Sequence, residues 1–133
     1  MDARWQDQTT FYSPEEKGGG NCAEACLASL LNIPLDSVKK FYDKTDPDPV
    51  YRYWRNMENF CFSRGFWLIR KDCEYVFEGM YMVSGPSARG CKHMVIYQDG
   101  KLLHDPHPSR KGIDKVEQTW LLVPLDPANL KRE

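Results

Sequence analysis

Between residues 22 and 31 almost every position is apolar or small, in the run Cys-Ala-Glu-Ala-Cys-Leu-Ala-Ser-Leu-Leu. A helix apolar on nearly every side is one buried in the middle of a fold. Asn21 stands before it as an N-cap, and Glu24 three residues later completes a capping-box-like pair. Pro34 ends the helix, because a proline pushes the residue before it out of the helical region. A short second helix is predicted over residues 35–42, and Asp46-Pro47-Asp48-Pro49 forms a rigid turn. Beyond that turn Val50, Tyr53, Trp54, Met57, Phe60 and Cys61 recur at spacings of three and four, which predicts an amphipathic helix closed by Gly65. The period then changes. Residues 66–70, 80–83, 93–97, 101–105 and 119–123 read as strands, punctuated by Gly85-Pro86 and Asp99-Gly100. Helices first and a strand meander afterwards predict an α+β fold, with N-terminal helices packed on a C-terminal antiparallel β-sheet.

The length of 133 residues fits a single domain over 1–133, in which residues 1–20 form an irregular arm ending in three glycines. Eighteen basic and 19 acidic residues give a formal charge of -1. That balance argues against nucleic acid or a membrane surface as partner. No apolar run approaches the ~20 residues of a membrane span. Asp2, Asp7, Glu15 and Glu16 lie in the opening stretch, so no signal peptide is expected. Five cysteines, an odd number, then point to free thiols and a cytoplasmic location.

Within this frame one position stands out. Gly-Gly-Gly-Asn-Cys puts Cys22 in the first turn of the buried helix. There the helix dipole favours a thiolate, and unpaired backbone N–H groups can hold an oxyanion. The competing reading is a small buried hydrophobe. Cys26 and Cys61 read as core packing, and Cys73 and Cys91 carry no assignment. A nucleophilic thiol needs a base. His93 opens a strand just after the Gly90-Cys91 loop, and Asp105 at the end of the following strand could orient it. His104-Asp105-Pro106-His107 crowds three potential ligands near Cys91 and His93, but no spacing matches a zinc site, and neither metal nor cofactor is expected. Gly18-Gly19-Gly20-Asn21 lacks the Lys-Ser/Thr of a phosphate loop.

The stretch from Asn21 to Leu31 resembles the catalytic helix of the papain-like cysteine peptidase superfamily, and His93–Tyr97 with His104-Asp105-Pro106 resembles its His and Asp strands. Within it the chain is most similar to bacteriocin (double-glycine) leader peptidase domains, and closer still to small bacterial and phage proteins ending in His-Asp-Pro-His-Pro-Ser. The resemblance covers residues 8 to 109. It implies Cys22 as nucleophile, His93 as base and then acid, and Asp105 as the residue orienting His93. It also implies an upstream Gln donating to the oxyanion, for which Gln8 is the candidate and Gln6 the second. The expected activity is hydrolysis of an amide, isopeptide or thioester in a peptide or protein substrate, through an acyl-enzyme. An acyltransferase or transglutaminase would use the same triad. A catalytically silent scaffold with a binding or inhibitory role is the alternative of another class. The triad also selects a hairpin register. A three-residue loop, Gln98-Asp99-Gly100, pairs Tyr97 with Lys101 and His93 with Asp105. It puts His93, Val95, Leu103 and Asp105 on one face, toward the helix starting at Cys22, and His104 on the other.

Overall fold

The structure is a computed structural model that describes residues 4–12, 20–126 and 128. Its elements are α1 (Cys22–Leu31), a single 3₁₀ turn (Leu35–Ser37), α2 (Pro49–Ser63), β1 (Phe66–Lys71), β2 (Met80–Pro86), β3 (Lys92–Gln98), β4 (Lys101–His104) and β5 (Gln118–Pro124). The described part of the arm has neither helix nor strand. Gly18 and Gly19 of the glycine run lie outside the described residues. No helix among the described residues is long and apolar enough to cross a membrane.

Local chemistry accounts for most helix ends. Asp48 caps α2 by accepting from the Tyr51 N–H at 3.3 Å, with Pro49 in the first turn. Asn32 closes α1 in the left-handed region at φ 55°. Two expectations fail. Asn21 does not cap α1, because its Oδ1 accepts from the Thr9 and Thr10 N–H groups and so holds the arm. Glu24 is not half of a capping box either; buried in α1, it accepts from the Phe41 N–H at 3.0 Å. That carboxylate also explains why the helix predicted over 35–42 shrinks to one turn. The Phe41 amide is spent on Glu24, and the chain runs extended from Val38.

All five strands form one antiparallel sheet in the order β1-β5-β2-β3-β4. It is not a meander, since β5 inserts between β1 and β2. Trp120 of β5 is the residue that fits this place. It pairs with Met82, donates its indole N–H to Ser84 Oγ at 3.0 Å and stacks on Trp54 of α2. Periodicity marks strands but carries no information on their order. One face of the sheet packs on the helices, joining Ala23, Cys26, Leu27, Met57 and Cys61 to Met82, Met94, Ile96 and Trp120. The other buries Tyr81, Val83 and Val95 under Phe77, Ile113, Val116 and Leu121. The face toward α1 is thus that of Met94 and Ile96, not that of Val95 as expected.

The β3–β4 hairpin differs from its expected form in an informative way. Gln98 pairs with Lys101, so the loop has two residues, Asp99 and Gly100. Both have positive φ, 51° and 88°, as a type I′ turn requires. In that register alone Asp105 would face away from His93. Yet Tyr97 pairs with Leu102 while Ile96 pairs with His104, so Leu103 is a bulge without a partner. One extra residue reverses the alternation and returns Asp105 to His93. The required parity is met by a two-residue turn plus a bulge instead of a three-residue loop.

Gly85-Pro86 does not punctuate the chain but lies within β2. Gly85 is needed for close approach: a Cβ there would sit 1.8 Å from the Lys115 carbonyl oxygen. Around it the Asp114 and Glu117 N–H groups donate to Pro86 O and Ser84 O. Gly85→Ala is expected to cost about 3 kcal/mol, at the upper end for overpacking, because backbone and not a flexible side chain must yield. Urea unfolding of the variant checks this; an unchanged midpoint would show that the 114–117 segment moves freely.

Candidate functional site

A cavity of about 720 Å³ opens where the arm, the start of α1, the start of β3 and the 105–109 turn meet. Cys22, His93, Gln8 and His107 line it together. Cys22 is the first residue of α1. The residue is only partly buried, but its thiol is enclosed. Burial is the largest influence and pushes the thiol up to about 12; Glu24 and Cys91 push the same way, and backbone groups of Met94 and Ala23 oppose. A helix terminus offers about 0.3–1 kcal/mol to a charge. A rise from 9.0 to about 12 corresponds to roughly 4 kcal/mol. Desolvation therefore works against the thiolate that the helix terminus favours.

His93 and Asp105 form the best-defined pair in the site. His93 Nε2 lies 2.6 Å from Asp105 Oδ1, with both side chains buried. Burial alone would raise the Asp105 carboxyl, but hydrogen bonds from His93, the His107 N–H and the Gly112 N–H outweigh it and hold it at about 2. The ionised Asp105 accepts a hydrogen bond from His93 Nε2–H, which leaves Nδ1 as the ring nitrogen without a partner among the described residues. No hydrogen bond joins His93 to Cys22; the pair shares the cavity without contact at hydrogen-bond distance.

The two glutamines part company. Gln6 is a clip: Nε2 donates to Ile33 O and Oε1 accepts from the Leu35 N–H at 2.8 Å, both in the segment after α1. Gln8 lines the cavity, and its backbone N–H donates to Pro106 O. Its Nε2 donates to Thr10 O at 2.9 Å, while its buried Oε1 has no partner. His104 belongs to the arm's anchorage. It bonds Gln6 O at 3.0 Å and stacks on Trp5, away from the cavity. Cys26, fully buried, donates to Met94 O, and Cys61 is core.

Sequence reasoning gave no role to several lining residues. His107 stands edge-on to His93 with ring centroids 6.0 Å apart, and its Nδ1 meets Ser109 Oγ at 2.9 Å. Its place two residues past Asp105 in a proline-flanked turn was the available signal. Arg89 and Cys91 enter from the β2–β3 loop, and Phe11, Tyr42, Tyr53 and Trp54 form aromatic walls. Among the described residues no group of three or more His, Cys, Asp or Glu side chains could hold a metal ion. No family model, no curated protein and no solved structure matches this chain.

Proposed function

We propose that this protein is a papain-like cysteine hydrolase in which Cys22, His93 and Asp105 form the triad. The observation that carries the reading is the buried 2.6 Å His93–Asp105 pair opening into the same cavity as Cys22. The Cys22 proton passes to His93 Nδ1 as sulfur attacks the carbonyl carbon of an amide, isopeptide or thioester. Substrate binding closes the Cys22–His93 gap, in keeping with the looser contacts of substrate-free sites. The backbone N–H of Cys22 and the second Nε2 hydrogen of Gln8 receive the oxyanion. His93 returns the proton to the leaving group, and water, deprotonated by His93, releases the acyl group. An amine acceptor in place of water makes the same site an acyltransferase. We place the protein in the cytoplasm, where its free thiols stay reduced.

The second reading, a silent scaffold that binds or inhibits, is favoured by burial pushing the Cys22 thiol up and by the absence of a Cys22–His93 hydrogen bond. Incubation with aryl thioesters, followed by intact-mass spectrometry, separates the two. The hydrolase forms an acyl adduct on Cys22 that decays with turnover; a protein that never acquires the adduct is the scaffold. Gln8→Ala is expected to lower turnover about 100–1000-fold with little change in KM, as for loss of one oxyanion donor. Gln6→Ala should instead lower thermal stability, through its lost clip to Ile33 and Leu35. Equal turnover for Gln8→Ala and wild type would remove the arm from the oxyanion site.

A further inference from the structure

The cavity is asymmetric in charge. Among the described residues two cations, Arg89 and Lys92, and no carboxylate line it. Lys92 has a partner in Glu117 at 3.9 Å. Arg89 has none: among the described residues its polar contact is Ser109 Oγ at 3.3 Å. That serine also meets His107 Nδ1 at 2.9 Å. Arg89 and His107 are thus hung from one hydroxyl beside His93. Burial first, and the Arg89 charge second, lower the His107 pKa, so the ring beside Arg89 is a neutral neighbour and not a competing cation. The loop carrying Arg89 is held by its own bonds, Ser87 N–H to Cys91 O at 2.9 Å and Gly90 N–H to Ser87 O at 3.0 Å. Phe11, edge-on to His107 at 5.4 Å, and Tyr42, Tyr53 and Trp54 add aromatic lining to the same cavity.

A guanidinium without a carboxylate partner, at the rim of a cavity with aromatic lining, is a receptor for a planar anion, because its fork matches a carboxylate bidentately. Resting on the hydrolase reading, we propose that Arg89 selects substrates carrying a carboxylate close to the scissile acyl group, with an apolar or aromatic group against the aromatic lining of the cavity. The carboxylate comes from an α-carboxylate at a chain end or from an acidic side chain.

Competitive alkylation tests this without knowledge of the natural substrate. Cys22 is labelled with iodoacetate and with iodoacetamide, and the ratio of the two rates is read by peptide mass spectrometry against the exposed Cys73 of the same molecule. The ratio at Cys22 is expected to exceed that at Cys73 at least tenfold, to fall to the Cys73 value in Arg89→Gln, to recover in part in Arg89→Lys and to persist in Lys92→Gln. Equal ratios at the two cysteines in wild type, or a preference lost with Lys92 and kept without Arg89, overturn the assignment. Protection of Cys22 from iodoacetamide then locates the carboxylate. N-acetylphenylalanine protects if a chain end is bound, N-acetylaspartate α-amide if a side chain is. Equal protection by N-acetylphenylalanine amide overturns the proposal. These readouts need no turnover, so their failure is distinct from absence of the acyl adduct, which would sink the hydrolase reading itself.

Discussion

Cys22→Ala is expected to lower acyl turnover about 10⁶-fold, the scale seen when the nucleophile of a catalytic triad is removed, and to leave the fold standing. Cys22 sits at the edge of the packed cluster, partly exposed in a cavity, so losing its sulfur empties little core volume. Cys26→Ala should do the reverse. That side chain is fully buried between Ala23, Leu27 and Met94, and its thiol donates to Met94 O at 3.4 Å. A hole there costs about 1–2 kcal/mol, with turnover retained. Thermal melts and thioester turnover of both variants decide the matter. A dead Cys26→Ala beside an active Cys22→Ala would transfer the nucleophile one helical turn inward and dismantle the mechanism.

Asp105 is expected to matter twice. Asp105→Asn keeps the shape but removes the charge that holds the His93 proton on Nε2 and stabilises the imidazolium. In a Ser-His-Asp triad the same exchange lowers kcat about 10⁴-fold, and we expect a loss of that size here. Asp105→Ala is worse for the fold. It strands the His107 and Gly112 N–H groups and His93 Nε2 in the interior. Each buried donor left unsatisfied costs about 1–3 kcal/mol. The pH dependence has a definite sign. The Asp105 carboxyl lies at about 2 in the fold, against 3.8 for a free one. Its contribution is therefore present above pH 4 and is lost as the pH falls from about 4 toward 2. Urea unfolding at pH 7 and pH 3 should show a steeper acid loss for wild type than for Asp105→Asn. Identical slopes would mean that Asp105 holds no such charge.

Much of this was legible in the sequence because it depends on near neighbours. The bounds of α1 followed from an apolar run and Pro34, those of α2 from Asp48-Pro49 and a period of three to four, and the strands from β-branched and aromatic clusters. The partnership of His93 with Asp105, both predicted, is also present. What stayed hidden depends on distant partners. Asn21 and Glu24 looked like caps, but one was claimed by the arm and the other by Phe41. The Leu103 bulge leaves no mark in a four-residue strand. The position of β5 depends on what Trp120 packs against, and the upward push on the Cys22 thiol depends on the walls around its sulfur.

The arm has a consequence for how the protein is made. Its residues find some partners soon after them in the chain, Asn21, Ile33 and Leu35, but others come far later: Gln6 O meets His104, 98 positions on, and Asp7 meets Arg110, 103 positions on. Loops that long close slowly and only after the intervening sheet exists. Until residues 104–110 have been made, the arm lacks its anchors on His104, Pro106 and Arg110. Trp5, stacked on His104 at 5.5 Å, is a native fluorescent reporter of the moment at which the arm docks on the completed sheet.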